Sequence, residues 1–183
     1  MILYRVFPRR RRRGGSEMDG PLWFPRAFQG RGRHDNPDDY GCLYLTERET
    51  AGVVELLAEF RGQTLAPQML TREGLRLALA SIELRDDATL VDLDRPSVLS
   101  RERLRPSLVA TRERSVTQPQ ALVLWQRHPD AVGLRWWSTY ESAWPNVTLF
   151  DRASPALRLV DVRELTPADS AVVQAADFLG LTP

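Results

Sequence analysis

Short apolar runs with strand character recur along this chain, but no regular interval of helix separates them. ILYRVF at 2–7, CLYLT at 42–46, TLVDL at 89–93, ALVLWQ at 121–126, NVTLF at 146–150 and LRLVDV at 157–162 each have strand length and strand composition. ETAGVVELLAEF at 49–60 is apolar on almost every side, which predicts a buried helix. PSVLSRERL at 96–104 reads as a short helix, and REGLRLALASI at 72–82 fits helix or strand equally well. Thr166 as N-cap, Pro167 in the first turn, Asp169 near the start and Gly180 at the end mark a last helix. This irregular order lacks the βαβ rhythm of a doubly wound sheet. It predicts an α+β fold with a mixed, mostly antiparallel sheet. At 183 residues, with no repeat and no linker, the chain is expected to form one domain over 1–183.

Charge narrows the function classes. The 25 basic residues are all arginine, and against 24 acidic residues they leave a net charge of +1. That balance gives no global pull toward nucleic acid or membrane. The run Arg9–Arg13 could contact phosphates, yet no interleaved aromatics accompany it, so RRRRRGGSEMDG at 9–20 reads as a charged surface loop. A single cysteine, Cys42, excludes an internal disulfide, and Cys42 with His34 and His128 is too little for a cysteine or histidine metal site, so no metal is expected. No apolar run reaches the roughly 18 residues that span a bilayer, and the N-terminal charges follow the apolar part, opposite to a secretory signal. The expectation is a cytoplasmic protein with no membrane or nucleic-acid partner.

Candidate chemistry gathers in one stretch. Residues 28–41 are rich in Gly, Asn, Asp and Pro and form a long irregular segment carrying Arg31, Arg33, His34 and Asp35. The strand at 42–46 then sets Leu43 and Leu45 on one face and Cys42, Tyr44 and Thr46 on the other. Glu55 follows on the helix, where its neighbours Ala51, Val54, Ala58 and Gly62 are small or apolar. A carboxylate there is either solvated at a boundary or partnered in a cavity. Arg33, Tyr44 and Glu55 are evenly spaced by about eleven residues. Arginine forks onto phosphates, a tyrosine ring offers a stacking face, and a carboxylate stabilises developing positive charge. Ser138, after Trp136 and Trp137, is either a pocket residue or a strand-edge residue beside core tryptophans. Phosphate-cradling glycine motifs and a serine-hydrolase elbow are both absent.

LYR at 3–5, GRHDNP at 32–37, LYL at 43–45, TAGVVE at 50–55, GLRWWS at 133–138 and NVTLFD at 146–151 stand in an order that resembles the RES-domain family. These matches cover the motif-bearing part, 1–151, and leave a C-terminal strand and helix over 157–180. The chain departs from the family pattern in having His34 where tryptophan usually follows the motif arginine, and in the arginine-rich insertion at 9–20. The resemblance implies a fold related to ADP-ribosyltransferases and cleavage of the nicotinamide–ribose bond of NAD, by phosphorolysis or hydrolysis. It also implies a toxin paired with an Xre-type antitoxin, and homo-oligomers are compatible with it. On the resemblance, Glu55, Arg33, Tyr44 and Ser138 are the catalytic set. Arg33, Tyr44, Arg5 and Arg31 would hold NAD as substrate, with inorganic phosphate as a co-substrate. Transfer of ADP-ribose to a protein is the alternative activity. A non-catalytic module using Arg9–Arg13 to bind nucleic acid or an acidic partner is the alternative class.

Overall fold

A computed structural model describes residues 1–10 and 14–182. The Arg11–Arg13 part of the arginine run lies outside the described residues, so the binding-module reading of Arg9–Arg13 does too. The strands are β1 (Ile2–Pro8), β2 (Cys42–Thr46), β3 (Thr71–Arg72), β4 (Leu75–Leu84), β5 (Thr89–Asp92), β6 (Ala131–Trp137), β7 (Pro145–Phe150) and β8 (Leu157–Glu164). The helices are α1 (Glu49–Leu57), α2 (Pro96–Glu102), α3 (Pro106–Ala110), α4 (Arg114–Arg127) and α5 (Ser170–Leu179). The eight strands form one sheet in the order β3-β4-β1-β2-β7-β6-β5, with β8 on β4. Pairing is antiparallel throughout except between β5 and β6. The fold is therefore α+β with a mixed, mostly antiparallel sheet, as the order of elements predicts.

β4 resolves the ambiguous segment as a strand. Leu77 and Leu79 point into one core while Ala78, Ala80, Ile82 and Leu84 point into the opposite one. A strand buried on both faces needs an apolar run rather than alternation, which is why its sequence also suited a helix. Leu43 and Leu45 of β2 join the same core as Ala78 and Ile82, whereas Cys42 faces the core under α2–α4. On the first face α1 and α5 pack together through Val53, Val54 and Leu57 against Val172, Ala175 and Leu179. Arg163 ties the starts of these two helices. Its guanidinium donates to Glu49 Oε2 at 2.6 Å and to Asp169 Oδ2 at 2.9 Å.

Two expectations need correction. ALVLWQ at 121–126 is not a strand but the second half of α4. The polar start of that helix and Pro119 within it mask the helical pattern, and the apolar run buries Ala121 and Leu124, packs Leu122 and Trp125 partly against the same core and leaves Val123 exposed. The last helix is capped by Asp169 rather than Thr166: the Asp169 side chain accepts from Ala171 N at 3.0 Å, and Thr166 to Asp169 forms a preceding turn. The carboxylate gains both the helix-start amide and Arg163, whereas a threonine hydroxyl at 166 would gain only the amide. Those bonds hold the Asp169 pKa below the ordinary carboxylate value despite the upward push of burial.

The feature that positions a site is the seam between β1 and β2. β1 pairs with β4 along seven residues, but with β2 only at Tyr4 and Thr46. The two strands splay from that point, and a gap opens in the middle of the sheet.

Candidate functional site

That gap is a cavity of about 550 Å³, within the range of small-molecule sites. β1 contributes Tyr4, Arg5 and Val6, β2 contributes Tyr44, Leu45 and Thr46, and α1 closes one side with Gly52, Glu55 and Leu56. Gly52 allows α1 to sit close: a Cβ there would lie 3.3 Å from Thr46 Oγ1 and 3.5 Å from Val6 Cγ2. Among the described residues, five arginines line the cavity, Arg5, Arg33, Arg72, Arg112 and Arg114, and Glu55 is the only carboxylate in the lining. Such a charge imbalance suits a ligand carrying several negative charges.

Arg33 is built into the structure. It is 7% exposed, and its guanidinium carbon lies 4.6 Å from the Trp136 ring centroid. Nη1 donates to Val109 O at 3.0 Å and also to Thr111 O. Burial, then the neighbouring Arg114, draws its pKa below the usual guanidinium value, and Glu55 partly offsets this. The backbone carrying it is braced from several sides. Thr117 Oγ1 donates to Arg33 O at 2.6 Å, and Gln118 Nε2 donates to Gly30 O and Gly32 O at 3.0 and 2.9 Å. The buried Asp35 carboxylate accepts from Gly30 N, Gly32 N and the Tyr44 hydroxyl, the last at 2.6 Å. Gly32 is required by this closeness, since a Cβ there would fall 2.5 Å from both Asp35 Oδ1 and Tyr44 Oη.

Tyr44 Oη also accepts from His34 N at 2.9 Å. The hydroxyl is thus engaged as donor and acceptor, and burial, ahead of the neighbouring Cys42 and Asp35, raises its pKa well above the ordinary phenol value. His34 is buried beneath the cavity. Its Nδ1 lies 2.9 Å from Thr148 Oγ1, and its ring meets Trp136 edge-on. Burial, followed by the charges of Arg33 and Arg114, pushes its pKa down to about 3. The imidazole is therefore neutral near pH 7 and takes the space of an apolar ring.

Glu55 stands on the opposite wall and is exposed. Ser138 Oγ and Asn146 Nδ2 both donate to its Oε1, each at 3.1 Å. Ser138, just beyond β6, is oriented in turn by the Tyr140 amide, which donates to Ser138 Oγ at 3.1 Å. Arg5 lines the cavity, but its Nη1 donates to Gly20 O and Pro21 O at 3.1 and 2.7 Å; burial lowers its pKa to about 10.

Arg33, Tyr44, Glu55 and Arg5 are therefore brought together in the lining of one cavity, and the buried Ser138, outside that lining, joins them through its bond to Glu55. Arg31 is not: it is exposed, and its carbonyl accepts from Arg114 Nε at 3.0 Å. Sequence reasoning missed Arg72, Arg112, Arg114, Tyr140 and Asn146. In the sequence Asn146 opens a strand candidate and the NVTLFD piece with no sign of a role, while Arg112 precedes α4 and Arg114 opens it, at a helix start masked by polar residues. Among the described residues no group of three or more His, Cys, Asp or Glu side chains could hold a metal ion, and no helix is long and apolar enough to cross a membrane.

The fold is a mixed sheet that parts around an arginine-lined cavity, with one carboxylate in the described lining. The chain belongs to the RES-domain family, whose model matches residues 2–172. A search of curated proteins found no match. Among solved structures, the fold is similar to a chain of the M. tuberculosis MbcT–MbcA toxin–antitoxin complex, with a TM-score of 0.64 and 19% identity. That alignment covers 98% of this chain and 88% of the other.

Proposed function

We propose that this protein cleaves the nicotinamide–ribose bond of NAD and acts as the toxin of a toxin–antitoxin pair. The observation that carries the reading is Glu55, held by Ser138 and Asn146 across a cavity from Arg33 and the other arginines. Family membership and the likeness to a toxin–antitoxin structure support it.

The chemistry follows from the substrate. The C–N bond between ribose and nicotinamide breaks with its electron pair going to the ring nitrogen, so nicotinamide leaves neutral and needs no general acid. The ribose passes through an oxocarbenium-like state, as in glycoside cleavage. A carboxylate fixed beside that cation lowers the barrier by meeting the developing charge with a preorganised one. Glu55 takes this role. Arg33, with Arg112 and Arg114, grips the diphosphate through charge-assisted bonds. Tyr44 offers ring surface rather than proton chemistry, because its hydroxyl is committed to Asp35 and the His34 amide. An acceptor oxygen then adds to the ribose carbon and gives up its proton: phosphate in phosphorolysis, water in hydrolysis. The antitoxin, of Xre type on the family pattern, would act by blocking this cavity.

The test is NAD turnover by purified protein with and without inorganic phosphate, with products resolved by mass. Nicotinamide plus phosphorylated ADP-ribose identifies phosphorolysis, and nicotinamide plus free ADP-ribose identifies hydrolysis. A labelled protein band from labelled NAD would identify transfer to a protein instead. NAD left intact in every condition would contradict the reading.

A further inference from the structure

Asn146 breaks a rule that its surroundings obey. Buried polar groups are normally paired, and around this cavity Asp35, His34, Thr117 and Thr148 all have partners. Asn146 is 4% exposed, yet its Oδ1 is buried without a hydrogen-bond partner among the described residues. The amide cannot relieve this by flipping, because Oδ1 would then face the Glu55 carboxylate that Nδ2 now donates to. An unpaired buried carbonyl gives the fold nothing that an apolar side chain of similar shape would not. It is retained with a donor aimed at Glu55.

The register explains the aim. On β7, Asn146 pairs with Thr46 of β2 and with Trp136 of β6, next to the splayed seam. Its Nδ2 reaches Glu55 Oε1 from the sheet while Ser138 Oγ reaches the same oxygen from the β6–β7 connection. Both bonds fall on Oε1, and no described residue hydrogen-bonds Oε2. Two donors converging on one oxygen fix the plane of the carboxylate and present its other oxygen to the cavity.

We infer that Asn146 is a positioning residue: it sets the Glu55 carboxylate so that Oε2 alone faces the reacting ribose, at the expense of its own unpaired carbonyl. The inference rests on the NAD-cleaving role of Glu55 and predicts an effect on kcat rather than on substrate binding.

The experiment compares Asn146→Leu and Asn146→Asp with wild type for NAD turnover and thermal unfolding. Asn146→Leu removes both the donor and the orphan acceptor. It is expected to unfold at or above the wild-type temperature while kcat falls about ten- to a hundred-fold and KM changes little. Asn146→Asp keeps the shape but sets a carboxylate against Oε1, so it should be the slower of the two variants. A space-filling role gives the opposite order, with the isosteric aspartate the more active. Wild-type kcat in either variant, aspartate outperforming leucine, or a midpoint for Asn146→Leu clearly below wild type would each overturn the proposal. If wild-type protein left NAD intact, the functional reading would fall. The unfolding comparison would still decide whether the asparagine is held against the interest of stability.

Discussion

The two walls of the cavity are built to opposite standards. Arg33 is buried, stacked on Trp136, bonded to two carbonyls at the end of α3, and carried on a segment braced by Asp35, Thr117 and Gln118. Glu55 is exposed and held by two hydrogen bonds to a single oxygen. The Arg33 guanidinium is part of the fold, whereas the Glu55 carboxylate is an addition to a helix that would form without it. Arg33 fills the end of α3 and the face of Trp136, so its loss should be felt throughout that half of the molecule. Glu55 can change without disturbing the α1–α5 core, because Val53, Val54 and Leu57 carry that packing.

The comparison makes graded predictions. Glu55→Gln should have the largest effect on turnover, a loss of about 10²–10³-fold as the fixed charge disappears, with unfolding unchanged. A drop in stability equal to that of Arg33 variants would break the contrast. Arg33→Met should cost both properties. Freeing the Val109 and Thr111 carbonyls from a charged donor should lower stability by about 1.5–3 kcal/mol, measured by urea unfolding, and NAD binding should weaken with it. Tyr44→Phe is milder. It removes the donor to Asp35, so stability should fall by about 1 kcal/mol, and KM should rise more than kcat falls. A collapse of kcat with unchanged KM would instead give the hydroxyl a chemical role.

His34 supplies the smallest effect near neutral pH. Its pKa of about 3 in the folded protein lies below the ordinary value of 6.5, so below pH 6.5 the unfolded chain takes up a proton that the folded chain refuses. Stability from this residue is complete above about pH 6.5 and declines toward pH 3, at about 1.4 kcal/mol per pH unit within that window. Urea unfolding at pH 7, 5 and 4 should show this slope, and His34→Asn should flatten it. An unchanged slope in the variant would assign the acid sensitivity elsewhere.

How much of this was legible in the sequence follows the same division. β2 and the start of α1 fall where strand alternation and helix pattern place them, and Tyr44 and Glu55 sit on them as expected. What could not be read was the support. Helix α4 supplies Thr117 and Gln118 to the Arg33 segment, but its first half, RSVTQPQ, is polar and contains Pro119, and only its apolar second half gives a signal, which mimics a strand. Asp35 stands in the sequence as one more polar residue of the irregular segment, yet the backbone turns its carboxylate back onto Gly30 and Gly32 while His34 points down to Thr148. Such loop geometry has no period to detect. Asn146 opens the NVTLFD piece at 146–151, but a polar residue opening a strand is ordinary, and its role is marked by the contact with Glu55, 91 residues earlier in the chain. The C-terminal helix, with no readable chemistry, acts by backing α1.

The most direct test of the divided cavity is NAD binding by calorimetry to Glu55→Gln and Arg33→Met, side by side with wild type. Glu55→Gln is expected to bind NAD without cleaving it, and Arg33→Met to lose binding while still folded. Binding lost in Glu55→Gln but kept in Arg33→Met would reverse the assignment of the two walls and contradict the mechanism built on them.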